Sequence, residues 1–303
     1  MLLRYLVSNF LQQQGQSVVR DFMSQQVSGQ AESDVAPEDV PKPEVIVLFA
    51  LGVESAGFKE KLKSVASVQM EGRTVTVGKL ADRVIGVVET GVGRKSAAAA
   101  ARDVIDIVAP DWIISAGFAG GLIGDLKRGH VVMPNQVVDK EGNHVEIPLN
   151  LTAEQIEATP GLAVGTLLTV DRIIGDVAEK RSLGEQHSAV AVDMETLAIA
   201  QACQENEVKL ISVRIISDAV DQPLPKDLEK MMSQKTTSGM IGAAAATIFN
   251  RPGSVKDMWN LNSMANKASD KLAGFLAGVI PQLDLAVRKR EESPSNADGD
   301  GAD

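Results

Sequence analysis

The feature that most constrains the fold is a series of short apolar runs that alternate with helical segments. The runs EVIVLFAL (44–51), DWIISAGFAGG (111–121) and KLISVRIISD (209–218) have the length and the branched side chains of strands buried on both faces. The segments KSAAAAARDVIDIV (95–108) and DMETLAIAQACQEN (193–206) between them are predicted helices. This alternation predicts an α/β three-layer sandwich, in which helices flank a central twisted sheet that is mixed but mostly parallel.

Other segments extend this pattern along the chain. Strands are predicted over 73–80, 83–90, 130–139 and 162–170, and helices over 226–248 and 256–286. Because ligands of such folds bind at the carboxyl ends of the strands, residues that end an apolar run are the first candidates for a site.

Both ends of the chain differ from this central part. Residues 1–27 carry apolar side chains at helical spacing and predict an amphipathic helix that docks on the protein or a partner, with contact to a membrane surface as the alternative. Residues 28–43 are acidic and proline-rich, as in a linker, and 288–303 have the composition of a disordered tail. The α/β domain is therefore predicted over 44–287.

Charge and cysteine content exclude several classes of protein. The 303-residue chain has a formal net charge of −10, which disfavours nucleic acid as a partner. Its single cysteine, Cys203, excludes an internal disulfide and indicates a reducing, cytoplasmic location. The three histidines lack the spacing of metal ligands, so neither a metal nor another cofactor is predicted.

Three carboxylates lie at the ends or edges of separate predicted elements. Glu54 follows the first apolar run, Glu195 lies in AVDMETLAIA (191–200), and Asp218 ends the last strand. Each has an ordinary structural explanation, such as a helix start or a turn. Their convergence on one edge of a sheet instead predicts acid/base chemistry in an apolar cleft.

Polar neighbours of these acids have separate explanations. Asp193 is predicted to cap the helix that carries Glu195. Arg214 is predicted to share a strand face with Asp218 and to pair with an interior carboxylate. The loop GVGRKSAAAA resembles an anion-binding loop in which Arg94 and Ser96 hold an anion, although a tight packing turn explains it equally well.

Five motifs together resemble those of the nucleoside phosphorylase/nucleosidase superfamily, over about residues 44–250. In order they are FALGVE, GVGRKSAAAA, ISAGFAGGLIGDLKRGHVV, AVDMETLAIA and VRIISDAVDQ. Within the superfamily the pattern is most similar to 5′-methylthioadenosine/S-adenosylhomocysteine nucleosidases. The resemblance implies hydrolysis of the N-ribosidic bond of an adenosyl-type nucleoside, with release of the purine.

The resemblance also implies a role for each site residue. Glu54 activates the attacking water, and Asp218 helps to protonate the purine at N7. Glu195 accepts the ribose hydroxyls while Met194 packs on the sugar. The remaining positions implied are Phe118, Ala119, Gly120, Ile173 and Ile174 for substrate binding, and Arg214 and Ser217 in support.

Departures from the superfamily pattern favour hydrolysis over phosphorolysis. No arginine follows Glu54, and Phe118 occupies the position of the phosphate-binding serine, although Arg94 and Ser96 keep a phosphorylase open as the alternative. The base-stacking aromatic of the nucleosidases is replaced by Ile173. The segment DRIIGDVAEKRSLG and the C-terminal region also resemble hopanoid-associated phosphorylase-like proteins, which implies adenosylhopane as an alternative substrate. A homodimer is expected by resemblance, and a non-enzymatic nucleoside-binding protein is disfavoured because all three carboxylates are present.

Overall fold

The computed structural model describes residues 40–70, 72–224 and 254–284. The predicted N-terminal helix (1–27), the linker up to residue 39, the predicted helix over 226–248 and the predicted tail (288–303) lie outside the described residues. The fold below therefore concerns the predicted α/β domain.

Parallel strands form the centre of the sheet, as the apolar runs predict. Strand β1 (Val45–Phe49) pairs in parallel with β4 (Arg83–Glu89) and with β5 (Trp112–Gly121). Strand β5 pairs in parallel with β10 (Lys209–Asp218). All five residues of β1 are buried, which explains why this strand is apolar throughout rather than alternating.

The other strands extend this centre on both sides. Strands β2 (Lys63–Met70) and β3 (Arg73–Leu80) add an antiparallel hairpin beside β4. Strands β6 (Val131–Val138), β8 (Leu162–Thr169) and β9 (Ala189–Asp193) lie on the other side, with the short β7 (His144–Glu146) paired to β6. The order is β10-β6-β8-β9-β5-β1-β4-β3-β2, and β10 also pairs with β5. Five strands of the mixed sheet therefore close into a ring, and the cleft described below lies at its edge.

Helices cover both faces of the sheet and confirm the three-layer prediction. Helices α1 (Gly52–Lys59) and α6 (Ser254–Val279) pack on the core that contains Val45, Val47 and Phe49. Helices α2 (Arg94–Val108) and α5 (Thr196–Glu205) pack on the opposite core, which contains Ile46 and Leu48. Alternate residues of β1 thus point to opposite faces, as the pleat requires.

Two smaller helices belong to the described part of the domain. Helix α3 (Ala153–Glu157) precedes β8, and α4 (Val177–His187) precedes β9. Asp176 caps α4, because its side chain accepts a hydrogen bond from the backbone N–H of Glu179. A 3₁₀ helix, Ile280–Gln282, follows α6.

Two predicted helix boundaries are wrong. The helix predicted over 193–206 begins only at Thr196, because the preceding residues pair with β5 and β8 as strand β9. The helix predicted over 256–286 spans 254–279. Among the described helices, none is long and apolar enough to cross a membrane.

Candidate active site

The predicted site residues line one cleft at the ends of β1, β5, β8, β9 and β10. The cleft has a cavity volume of about 80 Å³ and is open to solvent. Its lining includes Glu54, Phe118, Ala119, Gly120, Ile173, Ile174, Met194, Glu195, Ser217 and Asp218. Arg214 is the exception among the predicted residues, since it lies behind this lining, beside a small adjoining cavity that Glu54 and Glu195 also line.

Glu54 lies in the first turn of α1 and is only 5% exposed. Its Oε2 atom accepts a hydrogen bond from the N–H of Leu51 at 3.0 Å, and its Oε1 accepts one from the N–H of Phe118 at 2.8 Å. Burial raises the pKa of Glu54 to about 7, against the opposing effects of these hydrogen bonds and of the Arg214 charge. A carboxyl group with this pKa can exchange a proton near neutral pH.

Glu195 lies in the turn between β9 and α5 and is partly exposed. Its Oε1 atom accepts a hydrogen bond from the N–H of Gly93 at 2.7 Å. Removal from solvent raises the pKa of Glu195 to about 8, and the nearby charges of Asp193 and Glu54 contribute in the same direction. The glycine-rich loop before α2 therefore binds a carboxylate of the protein itself, and Gly93 has the positive φ of 93° that favours glycine there.

Asp193 forms an ion pair with Arg214 beneath the cleft. The Nη2 and Nε atoms of Arg214 lie 3.0 and 3.2 Å from Asp193 Oδ2, and Nη2 also donates to the hydroxyl of Ser115 at 2.7 Å. Asp193 also accepts the N–H of Thr196, the first residue of α5, at 3.0 Å, although the N-cap position itself is occupied by Glu195. The prediction that Arg214 pairs with an interior carboxylate is confirmed.

The prediction that Arg214 and Asp218 share a strand face is wrong. In β10, Ile216 is opposite Ala119 while Asp218 is opposite Gly120, so one residue bulges between them. The bulge reverses the alternation, and the two side chains point to opposite faces of the sheet. Arg214 consequently pairs with Asp193 and lies near Glu54 and Glu195, while Asp218 faces a different set of partners.

Asp218 is 1% exposed and contacts a buried lysine that sequence reasoning missed. Its Oδ2 atom forms an ion pair with Nζ of Lys180, which is fully buried in α4, and its Oδ1 accepts the hydroxyl of Ser217 at 2.6 Å. The only signal in the sequence is that Lys180 shares a helix face with Leu183 and Gly184, at spacings of three and four residues.

Arginines near the cleft are paired with carboxylates. Arg94 lies 3.0 Å from both Asp139 and Asp171 and donates to the carbonyl of Thr169 at 2.7 Å. Burial favours a higher pKa for Asp139, yet hydrogen bonds from Asn143 and from Arg94 outweigh it and lower that pKa. Arg94, predicted as an anion ligand, is thus already occupied.

Comparison with known proteins agrees with this fold. The phosphorylase superfamily matches residues 44–248, about two thirds of the chain, and the chain belongs to that superfamily. The chain is 29% identical over 203 residues to a 5′-methylthioadenosine/S-adenosylhomocysteine nucleosidase of Haemophilus ducreyi, which covers 60% of this chain and 87% of that protein. A nucleosidase with the same name from Staphylococcus haemolyticus is 26% identical, over 63% of this chain and 93% of its own length.

Solved structures show the same fold at lower sequence identity. The Helicobacter pylori 5′-methylthioadenosine/S-adenosylhomocysteine nucleosidase superposes with a TM-score of 0.61 at 18% identity, over 80% of this chain and 99% of that one. Futalosine hydrolase of H. pylori gives a TM-score of 0.60, also at 18% identity, over 79% and 99%. These two enzymes have different names and one fold, so the fold by itself leaves the nucleoside unspecified.

Proposed function

We propose that this chain hydrolyses the N-ribosidic bond of an adenosyl-type nucleoside and releases the purine base. The observation that carries the proposal is the placement of Glu54, Glu195 and Asp218 in one largely apolar cleft, each on a different element. Cleavage of this bond leaves positive charge on the sugar and negative charge on the base, and carboxyl groups can act on both.

In the proposed reaction Glu54 acts as the base for water. A carboxylate with a pKa of about 7 is ionised in a large fraction of molecules at neutral pH and still accepts a proton readily. Water attacks the anomeric carbon, and one of its protons moves to Glu54. The two backbone N–H groups that bind Glu54 fix the direction of its oxygens before the substrate arrives.

Glu195 and Met194 are proposed to bind the ribose. Glu195 is held by the N–H of Gly93, and its partly exposed carboxyl group faces the cleft, where it can bind the two hydroxyls. In the fraction of molecules in which Glu195 is ionised, its charge would also stabilise the positive charge that develops on the sugar. At the other end, Ile173 and Ile174 are proposed to contact the base, and Asp218 to carry the proton to N7.

Hydrolysis is favoured over phosphorolysis because the cations near the cleft are already paired. Arg94 binds Asp139 and Asp171, Arg214 binds Asp193, and the N–H of Gly93 binds Glu195. Phosphate needs such donors, and a carboxylate already on them repels a second anion.

The decisive experiment is a panel of nucleosides assayed with and without phosphate, with the released base measured by chromatography. The panel contains 5′-methylthioadenosine, S-adenosylhomocysteine, adenosine, inosine, uridine and an adenosyl lipid. We expect adenine release from an adenosyl substrate at a rate that 50 mM phosphate, on the order of a saturating concentration, changes by less than about twofold. A rate that depends on added phosphate would replace this proposal with a phosphorylase.

Three further predictions stay open to test. The adenosyl lipid in the panel tests the adenosylhopane alternative directly. A homodimer is expected and is measured by light scattering of the full chain. Contact of residues 1–27 with a membrane surface predicts co-sedimentation with anionic vesicles that is lost when the segment is removed.

A further inference from the structure

The ammonium group of Lys180 is enclosed by three acceptors. It contacts Oδ2 of Asp218, and it donates to the carbonyl oxygens of Ala219 at 3.1 Å and Gln222 at 2.9 Å. A lysine ammonium has three N–H donors, so each donor has one partner. Since the side chain is 0% exposed, these contacts inside the protein, and not solvent, stabilise the charge of Lys180.

Asp218 presents both of its carboxyl oxygens as acceptors in this arrangement. Its Oδ2 faces the ammonium of Lys180, and its Oδ1 accepts the Ser217 hydroxyl. Both oxygens act as acceptors, which is the hydrogen-bonding pattern of an ionised carboxylate. A purine that leaves through N9 takes up a proton at N7, and the ammonium of Lys180 is a proton-bearing partner of Asp218.

We propose that Lys180 is a positioning residue that acts through Asp218 and supplies the proton that leaves with the purine. The proposal rests on the nucleosidase function proposed above. As the bond between the sugar and N9 breaks, its electron pair moves into the base. The Lys180 ammonium transfers a proton to Asp218, and Asp218 passes it to N7, which leaves Lys180 as a neutral amine and Asp218 as a carboxylate.

The protons balance over one turnover. The attacking water gives its hydroxyl to the sugar and one proton to Glu54, while Lys180 loses one proton to the base by way of Asp218. After the products leave the open cleft, Glu54 releases its proton to solvent and Lys180 takes one up.

Burial makes this exchange physically reasonable. A proton that moves from Lys180 to Asp218 converts a buried ion pair into a neutral pair without a change in net charge. The low dielectric of the interior reduces the energy gap between these two forms, because an ion pair gains less from its surroundings there than in water. The two carbonyl contacts of Lys180 also fix residues 219–222, which lead to Leu224 on the cleft wall.

A double-mutant cycle with Lys180→Met and Asp218→Asn tests the proposal, with kcat and KM measured on the adenosyl substrate. We expect each single variant to lower kcat by about 100-fold or more, the usual range for loss of a general acid, while KM changes by less than about threefold. The double variant should be no more than about threefold slower than Asp218→Asn alone, because Lys180 acts through Asp218.

Other outcomes of the cycle would overturn the inference. A near wild-type kcat in Lys180→Met would show that Lys180 does not supply the proton. A double variant whose losses multiply assigns Lys180 to the 219–222 loop instead. If the wild type releases no base from any nucleoside, the proposed function itself fails, which is a result distinct from either of these.

Two further variants keep the result clear. Arg181→Met, at the exposed neighbouring position of α4, is the matched control and should keep wild-type kcat. Lys180→Arg keeps the cation but holds its protons far more tightly, so kcat should stay low even where KM is normal. A wild-type kcat in Lys180→Arg would overturn the proposal that Lys180 supplies a proton. If Lys180→Met fails to fold, the comparison of Asp218→Asn with the double variant still tests the proposal. The double variant buries no unpaired charge, and a kcat much lower than that of Asp218→Asn would show that Lys180 acts independently of Asp218.

Discussion

The two ends of the cleft hold their carboxyl groups in opposite ways. At the sugar end, as we call the end proposed to bind the ribose, Glu54 and Glu195 accept backbone N–H groups, and burial raises the pKa values of both. At the base end, the end proposed to bind the purine, Asp218 contacts a buried ammonium and a hydroxyl. Acids in this cleft therefore differ in the partners that hold them. Backbone dipoles compensate a negative charge less than a full cation does.

This difference suits the two tasks proposed for the ends. The sugar end must receive a proton from water and face a developing cation. An acid whose pKa lies near neutral pH is useful there, because it can both accept and release a proton. The base end must deliver a proton, so a fixed cation beside the carboxylate serves as its source. The predictions below test this contrast, beginning with the largest effect.

The largest effect is expected for Glu54→Gln, which removes the proposed base. We expect kcat to fall by about 1,000-fold, within the range of general base catalysis. The glutamine has one acceptor oxygen for the two N–H groups of Leu51 and Phe118, so stability should also fall by about 1–3 kcal/mol. Steady-state kinetics and urea unfolding measure the two effects. Glu60→Gln, exposed just beyond α1, is the control, and equal kcat in both variants would remove Glu54 from the reaction.

The next effect concerns stability as a function of pH. The folded pKa of Glu54, about 7, lies above its ordinary value of 4.5, so the native state binds more protons than the unfolded state between these pH values. The free energy of unfolding should therefore fall as pH rises from about 4.5 to 7, by up to about 3 kcal/mol from this group. Urea unfolding of wild type and Glu54→Gln from pH 5 to 8 tests this, and parallel curves would contradict the raised pKa.

A smaller effect is expected for Gly117→Ala, which crowds the sugar end from strand β5. A Cβ atom at this position would lie 2.9 Å from Glu54 Oε1 and 3.2 Å from its Cδ, closer than stable contacts allow. Because two backbone N–H groups hold Glu54, the added Cβ atom must either displace the Glu54 carboxyl group from them or distort strand β5. Small displacements of a reacting group are costly, and we expect kcat to fall by about 100-fold. Unchanged kcat would show that the position of Glu54 is not critical.

Local patterns explain how much of the fold was predictable. The buried strands β1, β5 and β10 are continuous apolar runs, so their positions, and with them the acids at their ends, follow from nearby residues. The short strand β9 was missed because AVAVD runs directly into the apolar helix α5. Its pairing with β5 and β8 depends on residues distant in the chain.

The partners of the acids were less predictable than the acids. Lys180 is 38 residues from Asp218 in the chain, and a helix face shared with Leu183 and Gly184 does not by itself mark a lysine as fully buried. The bulge in β10 likewise depends on its pairing with β5, so a plain alternation put Arg214 on the wrong face. Tertiary contacts determine both the burial of Lys180 and the bulge in β10, whereas the local hydropathy pattern determines where the buried strands lie.

The smallest effect is expected for Gly120→Ala, which crowds the base end from the same strand. Its Cβ would lie 3.3 Å from Asp218 Oδ2 and 3.3 Å from Val192 Cγ1, a tight contact that a shift of a few tenths of an ångström relieves. We expect kcat to fall by only about fivefold, less than for Gly117→Ala. Gly124→Ala, where a Cβ meets nothing within 4 Å, is the control for alanine in this region. A loss of kcat larger than that of Gly117→Ala would reverse the comparison between the two ends. It would show that the reaction tolerates displacement of Asp218 less than displacement of Glu54, and that the contact with Lys180 fixes its acid more tightly than the backbone N–H groups fix theirs.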